Sequence, residues 1–183
     1  MVMSLEEIVE VTRIVKNIPR TGWLQKGIPF YEAESIAEHS FEVAVIVLAL
    51  LKLNNVRMKV DAEKVLAMAL IHDLSESVIG DMPKALTEKI GENLKHEIEE
   101  EAVEKIFGSG KLKEIFKEYS RGESLEAKIV KLADKLSTFY QAISYKKRGY
   151  DVDEIMEGTL EEIKIMLKQF VEKEGLEIML NIQ

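Results

Sequence analysis

Apolar residues recur at intervals of three and four along most of this chain, and such spacing is typical of amphipathic helices. Two serines open helices with a capping box, in Ser4-Leu5-Glu6-Glu7 and in Ser35-Ile36-Ala37-Glu38. Asp61 and Ser124 are further predicted N-caps. The predicted helices cover, to within a few residues, 5–16, 36–53, 62–77, 87–107, 111–119, 125–147 and 152–174.

Two segments interrupt this helical spacing. Residues 18–34 contain two prolines and two glycines, so we expect a structured loop there, and a shorter loop around Gly80-Asp81-Met82-Pro83. The sequence shows no alternating strand pattern of useful length and no internal repeat. Its 183 residues fit one domain, and we therefore predict an all-α helical bundle in a single domain over residues 1–183.

Two helical segments are apolar on almost every side, at residues 41–51 and 65–71. Such helices are expected at the centre of a bundle, with other helices around them. The longest apolar stretch, residues 41–53, is too short to span a bilayer. The first seven residues lack the features of a signal peptide. We therefore expect a cytoplasmic protein without a membrane partner.

Composition and charge narrow the possible functions. The chain carries 33 acidic and 25 basic residues, a net charge of −8, which disfavours binding to a nucleic-acid polymer or an anionic membrane. It contains no cysteine, which excludes disulfides, zinc–thiolate sites, iron–sulfur clusters and cysteine nucleophiles. Any metal or catalytic chemistry therefore depends on histidines, carboxylates and other oxygen or nitrogen groups.

Histidines and carboxylates do occur where helices enter the predicted core. His72-Asp73 ends the apolar run 66–71, His39 follows the second capping box, and Asp134 lies near the buried face of its helix. Buried polar groups need partners, and one divalent metal would satisfy all four. Two neutral imidazoles and two carboxylates balance its charge and suit manganese, cobalt, iron, nickel, magnesium or zinc. The third histidine, His96, lies in a highly charged helix, and we expect it at the surface.

Two further acids follow the predicted ligands. Glu76 comes four residues after His72, which places it on the same face of a continuous helix, and Asp81 lies in the next loop. The metal shell does not require either residue, so both are available to handle protons. A metal lowers the pKa of a bound water and polarises a phosphoryl oxygen. Together these features indicate a metal-dependent hydrolase.

The order His39, His72-Asp73, Asp134 resembles the H…HD…D pattern of the HD-domain phosphohydrolases. Longer motifs resemble the 5′-deoxynucleotidase branch of that family. They are NIPRTGW at 17–23, ESIAEHS at 34–40, ALIHDLSESVIGD at 69–81 and KHEIEEEA at 95–102. The resemblance implies hydrolysis of deoxynucleoside 5′-monophosphates to nucleoside and phosphate.

The resemblance also implies roles for individual residues. The implied metal ligands are His39, His72, Asp73 and Asp134, and the implied catalytic acids are Glu76 and Asp81. It places Arg20 on the substrate phosphate, which suits a guanidinium group, and Trp23 beside the nucleoside. Ser120 and Ser137 depart from the pattern, since both stand where we expect an acid, and this departure leaves the substrate preference open.

Two alternatives stay open at this point. One keeps the metal but changes the substrate to a deoxynucleoside triphosphate, an alarmone or a cyclic nucleotide. The sequence has no cluster of basic residues beyond the region of Arg20 to bind additional phosphates. The other alternative is a non-catalytic nucleotide-binding helical module, which would have no use for Glu76 and Asp81. The resemblance and the amphipathic helix at 152–174 also favour a homodimer.

Overall fold

The computed structural model describes residues 3–180, and throughout this range the regular structure is helical. The helices are α1 (Leu5–Val15), α2 (Thr21–Gln25), α3 (Ile36–Leu50), α4 (Asn54–Arg57), α5 (Ala62–Ile71), α6 (Glu76–Ile79), α7 (Lys84–Ile90), α8 (Glu92–Phe107), α9 (Lys111–Arg121), α10 (Leu125–Lys147) and α11 (Asp153–Glu174). Within 3–180 the strand-like pairing amounts to one isolated bridge between Pro19 and Ser35. The predicted all-α bundle is therefore confirmed.

The four predicted N-caps are also confirmed. Ser4 and Ser35 each form a complete capping box with the glutamate three residues later. Asp61 accepts hydrogen bonds from the amides of Glu63 and Lys64, and Ser124 caps α10. These side chains satisfy amides that have no partner inside the helix. For α3 this fixes the first turn, in which His39 lies.

Helix α10 lies at the centre of the bundle and packs against α3, α5, α9 and α11. Its buried apolar residues from Ala127 to Phe139 belong to one core with Val43 and Val47 of α3 and Met68 of α5. Ala142 and Tyr145, nearer its end, pack in a second cluster with Trp23. No helix within residues 3–180 combines the length and the apolar composition needed to cross a membrane.

The prediction that α3 is buried on almost every side was wrong. Its buried residues, among them Val43 and Val47, occupy the face toward α5 and α10. Phe41, Val45 and Leu48 form a stripe on the opposite face, with 46–69% of each side chain exposed. A helix with apolar residues on every side therefore need not have neighbouring helices on every side.

The predicted continuous helix over 62–77 is interrupted. Helix α5 ends at Ile71, a turn follows, and the separate short helix α6 begins at Glu76. The amides of Leu74, Glu76, Ser77 and Val78 bond to carbonyls three residues earlier, which tightens the backbone relative to an α-helix. The Ala69 carbonyl also accepts a hydrogen bond from the side chain of His72.

Two other predicted boundaries differ. The predicted helix over 87–107 is divided into α7 and α8 by Gly91, whose φ of 82° suits glycine. The predicted loop 18–34 contains one helical turn, α2. The amide of Thr21 at the start of α2 donates to the carboxylate of Asp81. This partner lies far away in sequence, so local periodicity does not reveal it.

Candidate metal centre

Three helical elements bring the four predicted ligands together. His39 comes from the first turn of α3, His72 and Asp73 from the end of α5, and Asp134 from the middle of α10. Nε2 of His39 lies 3.0 Å from Oδ1 of Asp134 and 3.7 Å from Oδ2 of Asp73. One ligand atom each from His39, His72 and Asp134 lies within 4.8 Å of the other two, a spacing that could hold a metal ion.

The hydrogen bonds of His72 test whether a cation fits this place. Nδ1 lies 2.7 Å from the Ala69 carbonyl, which only accepts, so the proton of the neutral ring is assigned to Nδ1. Nε2 then presents a lone pair, and this buried atom has no hydrogen-bond partner. Oδ2 of Asp73 lies 3.2 Å from Nε2, outside hydrogen-bond geometry. A lone pair that faces a carboxylate in a buried site fits a bound cation.

The charge states also suit a divalent metal. Burial and, to a smaller extent, the charge of the adjacent Arg20 lower the pKa of His39 to about 4, so the imidazole is neutral. Burial acts to raise the pKa of Asp73, but His72 outweighs it and the pKa falls to about 2. The pKa of Asp134 is likewise held well below its usual range, against burial, by the His39 hydrogen bond and Lys135. Neutral imidazoles and ionised carboxylates are the ligand forms that metals need.

His72 responds to the same negative charge. Burial lowers the pKa of its ring, but the carboxylates of Asp73 and Asp134 outweigh burial and raise it. A proton therefore competes with a metal ion for the lone pair of His72 Nε2.

Asp73 and Asp134 line a cavity of about 540 Å³, within the usual size range of small-molecule sites. His39 and His72 are almost fully buried beneath it. All four other predicted site residues line this cavity as well: Arg20, Trp23, Glu76 and Asp81. The structure therefore brings all eight predicted residues into one region.

The four predicted ligands together form a cluster of side chains, the metal cluster. Arg20 is half-buried between this cluster and the cavity. Its Nη1 donates to Oγ1 of Thr138 at 3.1 Å and lies 3.1 Å from Nδ1 of His39. Oε2 of Glu34 lies 3.7 Å from Nη1, and Oδ1 of Asp134 lies 4.0 Å from Nη2. These carboxylates raise the pKa of Arg20 despite burial, so the guanidinium is a fixed positive charge at the cavity wall.

Glu76 and Asp81 are carboxyls with a raised affinity for protons. Burial raises the pKa of Glu76 well above its usual value, and the charges of Asp73 and Asp81 add to this effect. Burial also raises the pKa of Asp81, although the Thr21 amide opposes it. The prediction that Glu76 shares one continuous helix with His72 was wrong, yet the turn after α5 still places Glu76 on the same cavity.

Trp23 is a core residue with one surface on the cavity. It is 2% exposed, its Nε1 donates to Oε2 of Glu34 at 3.0 Å, and its ring meets Tyr145 edge-on at 5.1 Å between centroids. His96 lies on α8, and its Nε2 is 3.4 Å from Oε2 of Glu92. It lies outside the metal cluster, as expected for a residue of this charged segment.

Sequence reasoning assigned no role to several residues around the site. Tyr119 of α9 packs edge-on against the His72 ring at 5.4 Å, and Glu34 binds both Arg20 and Trp23. Ser137 and Thr138 contact His39 and Arg20 from α10. Ser137 and Thr138 follow Asp134 by three and four residues, and residues at these spacings share a helix face. This spacing was the signal in the sequence that could have placed them beside the site.

Comparison with known proteins places these residues in a family. The family model described as "HD domain" matches residues 12–174. The 5′-deoxynucleotidase hdd1 of Schizosaccharomyces pombe is 30% identical over 156 residues, which cover 80% of this chain and 74% of that protein. The 5′-deoxynucleotidase HDDC2 of Danio rerio is 32% identical over 150 residues, which cover 79% of this chain and 70% of its own.

A solved structure has the same fold over nearly the whole chain. The crystal structure of the PH0347 protein from Pyrococcus horikoshii OT3 is similar with a TM-score of 0.77 and 37% sequence identity. The similarity covers 93% of this chain and 98% of that one.

Proposed function

This chain belongs to the HD-domain family, and we propose that it is a metal-dependent 5′-nucleotidase that converts (deoxy)nucleoside 5′-monophosphates to nucleoside and phosphate. The curated relatives named 5′-deoxynucleotidases support this activity. The observation that carries the proposal is the buried, unpartnered Nε2 of His72, directed at carboxylates on a cavity that also contains Arg20.

The proposed ligands are His39, His72, Asp73 and Asp134. A divalent metal bound there would lower the pKa of a coordinated water and polarise a phosphoryl oxygen. Manganese, cobalt, iron, nickel, magnesium and zinc all accept such a set of nitrogen and oxygen donors. The remaining chemistry depends on the other cavity residues of this chain.

Arg20 is proposed to bind the phosphate. A guanidinium group offers several donors in a plane, and a phosphate accepts two of them at once. Thr138 and Glu34 already orient this side chain, so little freedom is lost when it meets a substrate. Trp23 lines the cavity and is proposed to shape its nucleoside end.

Glu76 is proposed to donate a proton to the departing 5′ oxygen. Its raised pKa keeps the carboxyl protonated at a higher pH than an ordinary glutamate, which an acid catalyst requires. Asp81 is proposed to orient the attacking water. The amide of Thr21 engages one of its oxygens and ties it to the segment that carries Arg20.

Phosphate release from a substrate panel tests the proposal. The metal-free protein is supplied with each divalent metal in turn and with deoxy- and ribonucleoside monophosphates, triphosphates and cyclic nucleotides. We expect metal-dependent phosphate release from monophosphates, and a chelator should abolish it. Chromatography of the same reactions detects turnover that frees no phosphate, such as release of triphosphate or opening of a cyclic nucleotide. Turnover confined to those substrates would favour the alternative substrates. Tight mononucleotide binding without release under any metal would favour the non-catalytic module.

A further inference from the structure

A hydrogen-bonded relay leads from the metal cluster to two residues that do not line its cavity. Ser137 of α10 is fully buried, and its Oγ lies 3.1 Å from Nδ1 of His39. The same hydroxyl donates to Oε2 of Glu42 on α3 at 2.8 Å. Glu42 is half-buried and lines a second, separate cavity of about 680 Å³. The relay thus runs from His39 through α10 and back to α3.

The hydrogens in this relay have a defined direction. A carboxylate only accepts, so the single hydrogen of the Ser137 hydroxyl points to Glu42. The serine oxygen then offers a lone pair to Nδ1 of His39, which must itself carry a proton to complete the hydrogen bond. In a neutral imidazole with a proton on Nδ1, the lone pair is on Nε2. Nε2 is the atom beside Asp134 and Asp73.

Arg20 favours the opposite arrangement. Its Nη1 lies 3.1 Å from the same Nδ1 and has only hydrogens to offer, so it requires a lone pair there. Nε2 then carries the proton and donates it to Oδ1 of Asp134 at 3.0 Å. In that tautomer Nε2 cannot bind a metal. The two neighbours of Nδ1 therefore select different tautomers of His39.

We propose that Ser137 and Glu42 are positioning residues that set His39 in the tautomer with a free Nε2 and orient its ring for the metal. This inference rests on the metal site of the proposed function. Removal of the hydrogen-bond partner of a ligating histidine typically weakens metal binding by 10- to 100-fold. Glu42 acts through the Ser137 hydroxyl, which distinguishes it from a charge that merely attracts a cation from a distance.

Metal affinity of the full-length protein tests the proposal. Co²⁺ is titrated into metal-free protein against a competing chelator, and its visible absorption reports ligand geometry. Ser137→Ala should weaken Co²⁺ binding by roughly 10- to 100-fold and alter the spectrum. Ser120→Ala is the matched control, because Ser120 is also a buried helical serine but its hydroxyl has no hydrogen-bond partner. This control should bind Co²⁺ as the wild type does.

A double-mutant cycle separates the relay from simple charge attraction. Glu42→Ala alone should weaken Co²⁺ binding, but in the Ser137→Ala background it should have little further effect. Equal effects of Glu42→Ala in both backgrounds, or wild-type affinity in Ser137→Ala, would overturn the inference. Failure of the proposed function looks different, because the wild type itself would then bind no Co²⁺.

Discussion

At the scale of single residues, the site combines groups that are costly to bury unless they meet a partner. His39 is a neutral imidazole beside carboxylates, His72 has a raised pKa because of the same carboxylates, and Arg20 is a cation fixed among acids. In each case the surroundings shift the pKa of the side chain in one direction. The roles of these residues can therefore be separated by measuring metal content, substrate binding, turnover and stability independently.

Arg20→Ala should lose substrate affinity but keep the metal. One charged hydrogen-bonded contact contributes about 1.5–3 kcal/mol, which corresponds to roughly a 10- to 150-fold lower kcat/KM. Metal content should not fall, because the variant removes a positive charge and a competing donor to His39. Lys84→Ala, at the exposed rim of the same cavity, is the control. Unchanged kcat/KM in Arg20→Ala would exclude Arg20 from the phosphate site.

Glu76→Gln should bind metal and nucleotide normally while kcat falls about 100-fold or more, the usual scale for proton transfer by a side chain. The amide keeps the shape of the carboxyl but cannot donate its proton. Glu88→Gln, on the exposed part of the cavity lining, should retain wild-type turnover. If Glu76→Gln instead loses its metal, Glu76 is a ligand and the proposed ligand set is wrong.

Glu34 should make folding stability depend on pH. Burial raises its pKa from 4.5 to about 7, against the opposing effects of Arg20 and Trp23, so the folded protein binds this proton more tightly than the unfolded chain. The resulting stability is present below pH 4.5 and is lost as pH rises through 7. The shift corresponds to about 3 kcal/mol.

Urea unfolding of metal-free protein between pH 4.5 and 8 measures this effect. The Glu34→Gln variant cannot lose a proton, so its stability relative to the wild type should rise with pH across that range. A stability difference that stays constant with pH would contradict the assignment to Glu34.

At the scale of helices, local chemistry predicted the beginnings well and the interruptions poorly. The capping boxes at Ser4 and Ser35 depend on neighbours within three residues, which the sequence displays directly. The turn at α2 depends on a contact with a distant residue, since the amide of Thr21 donates to Asp81. The break after Ile71 is made of local bonds three residues apart, which the spacing of apolar residues does not display. The four proposed ligands could be selected from the sequence because each is a polar residue at a helix end or on a buried helix face. The link between Ser137 and Glu42 could not, because it joins two helices that are far apart in sequence.

Ser35→Ala should link a helix cap to the metal site. Loss of this N-cap should destabilise the protein by roughly 1–2 kcal/mol. Because His39 lies in the first turn that Ser35 caps, Co²⁺ affinity should fall as well. Ser4→Ala removes the same capping box from α1, which contributes no residue to the cluster, and should leave Co²⁺ affinity unchanged. Equal Co²⁺ affinities in the two variants would contradict this link.

At the scale of the whole molecule, α10 organises the bundle and the site together. It packs against four helices and supplies Asp134 to the metal cluster and Thr138 to Arg20. A central helix with neighbours on several sides gives these residues fixed positions relative to α3 and α5. The predicted homodimer stays a prediction from the sequence, and light scattering of the purified protein measures it.

The most direct test of the account is the metal content of Asp73→Ala. Elemental analysis after loading with a divalent metal and removal of free ions should find about one metal per wild-type chain and almost none in the variant. Asp81→Ala is the control that should retain the metal, because its carboxylate binds the Thr21 amide and is not a proposed ligand. Undiminished metal in Asp73→Ala would contradict the proposed centre.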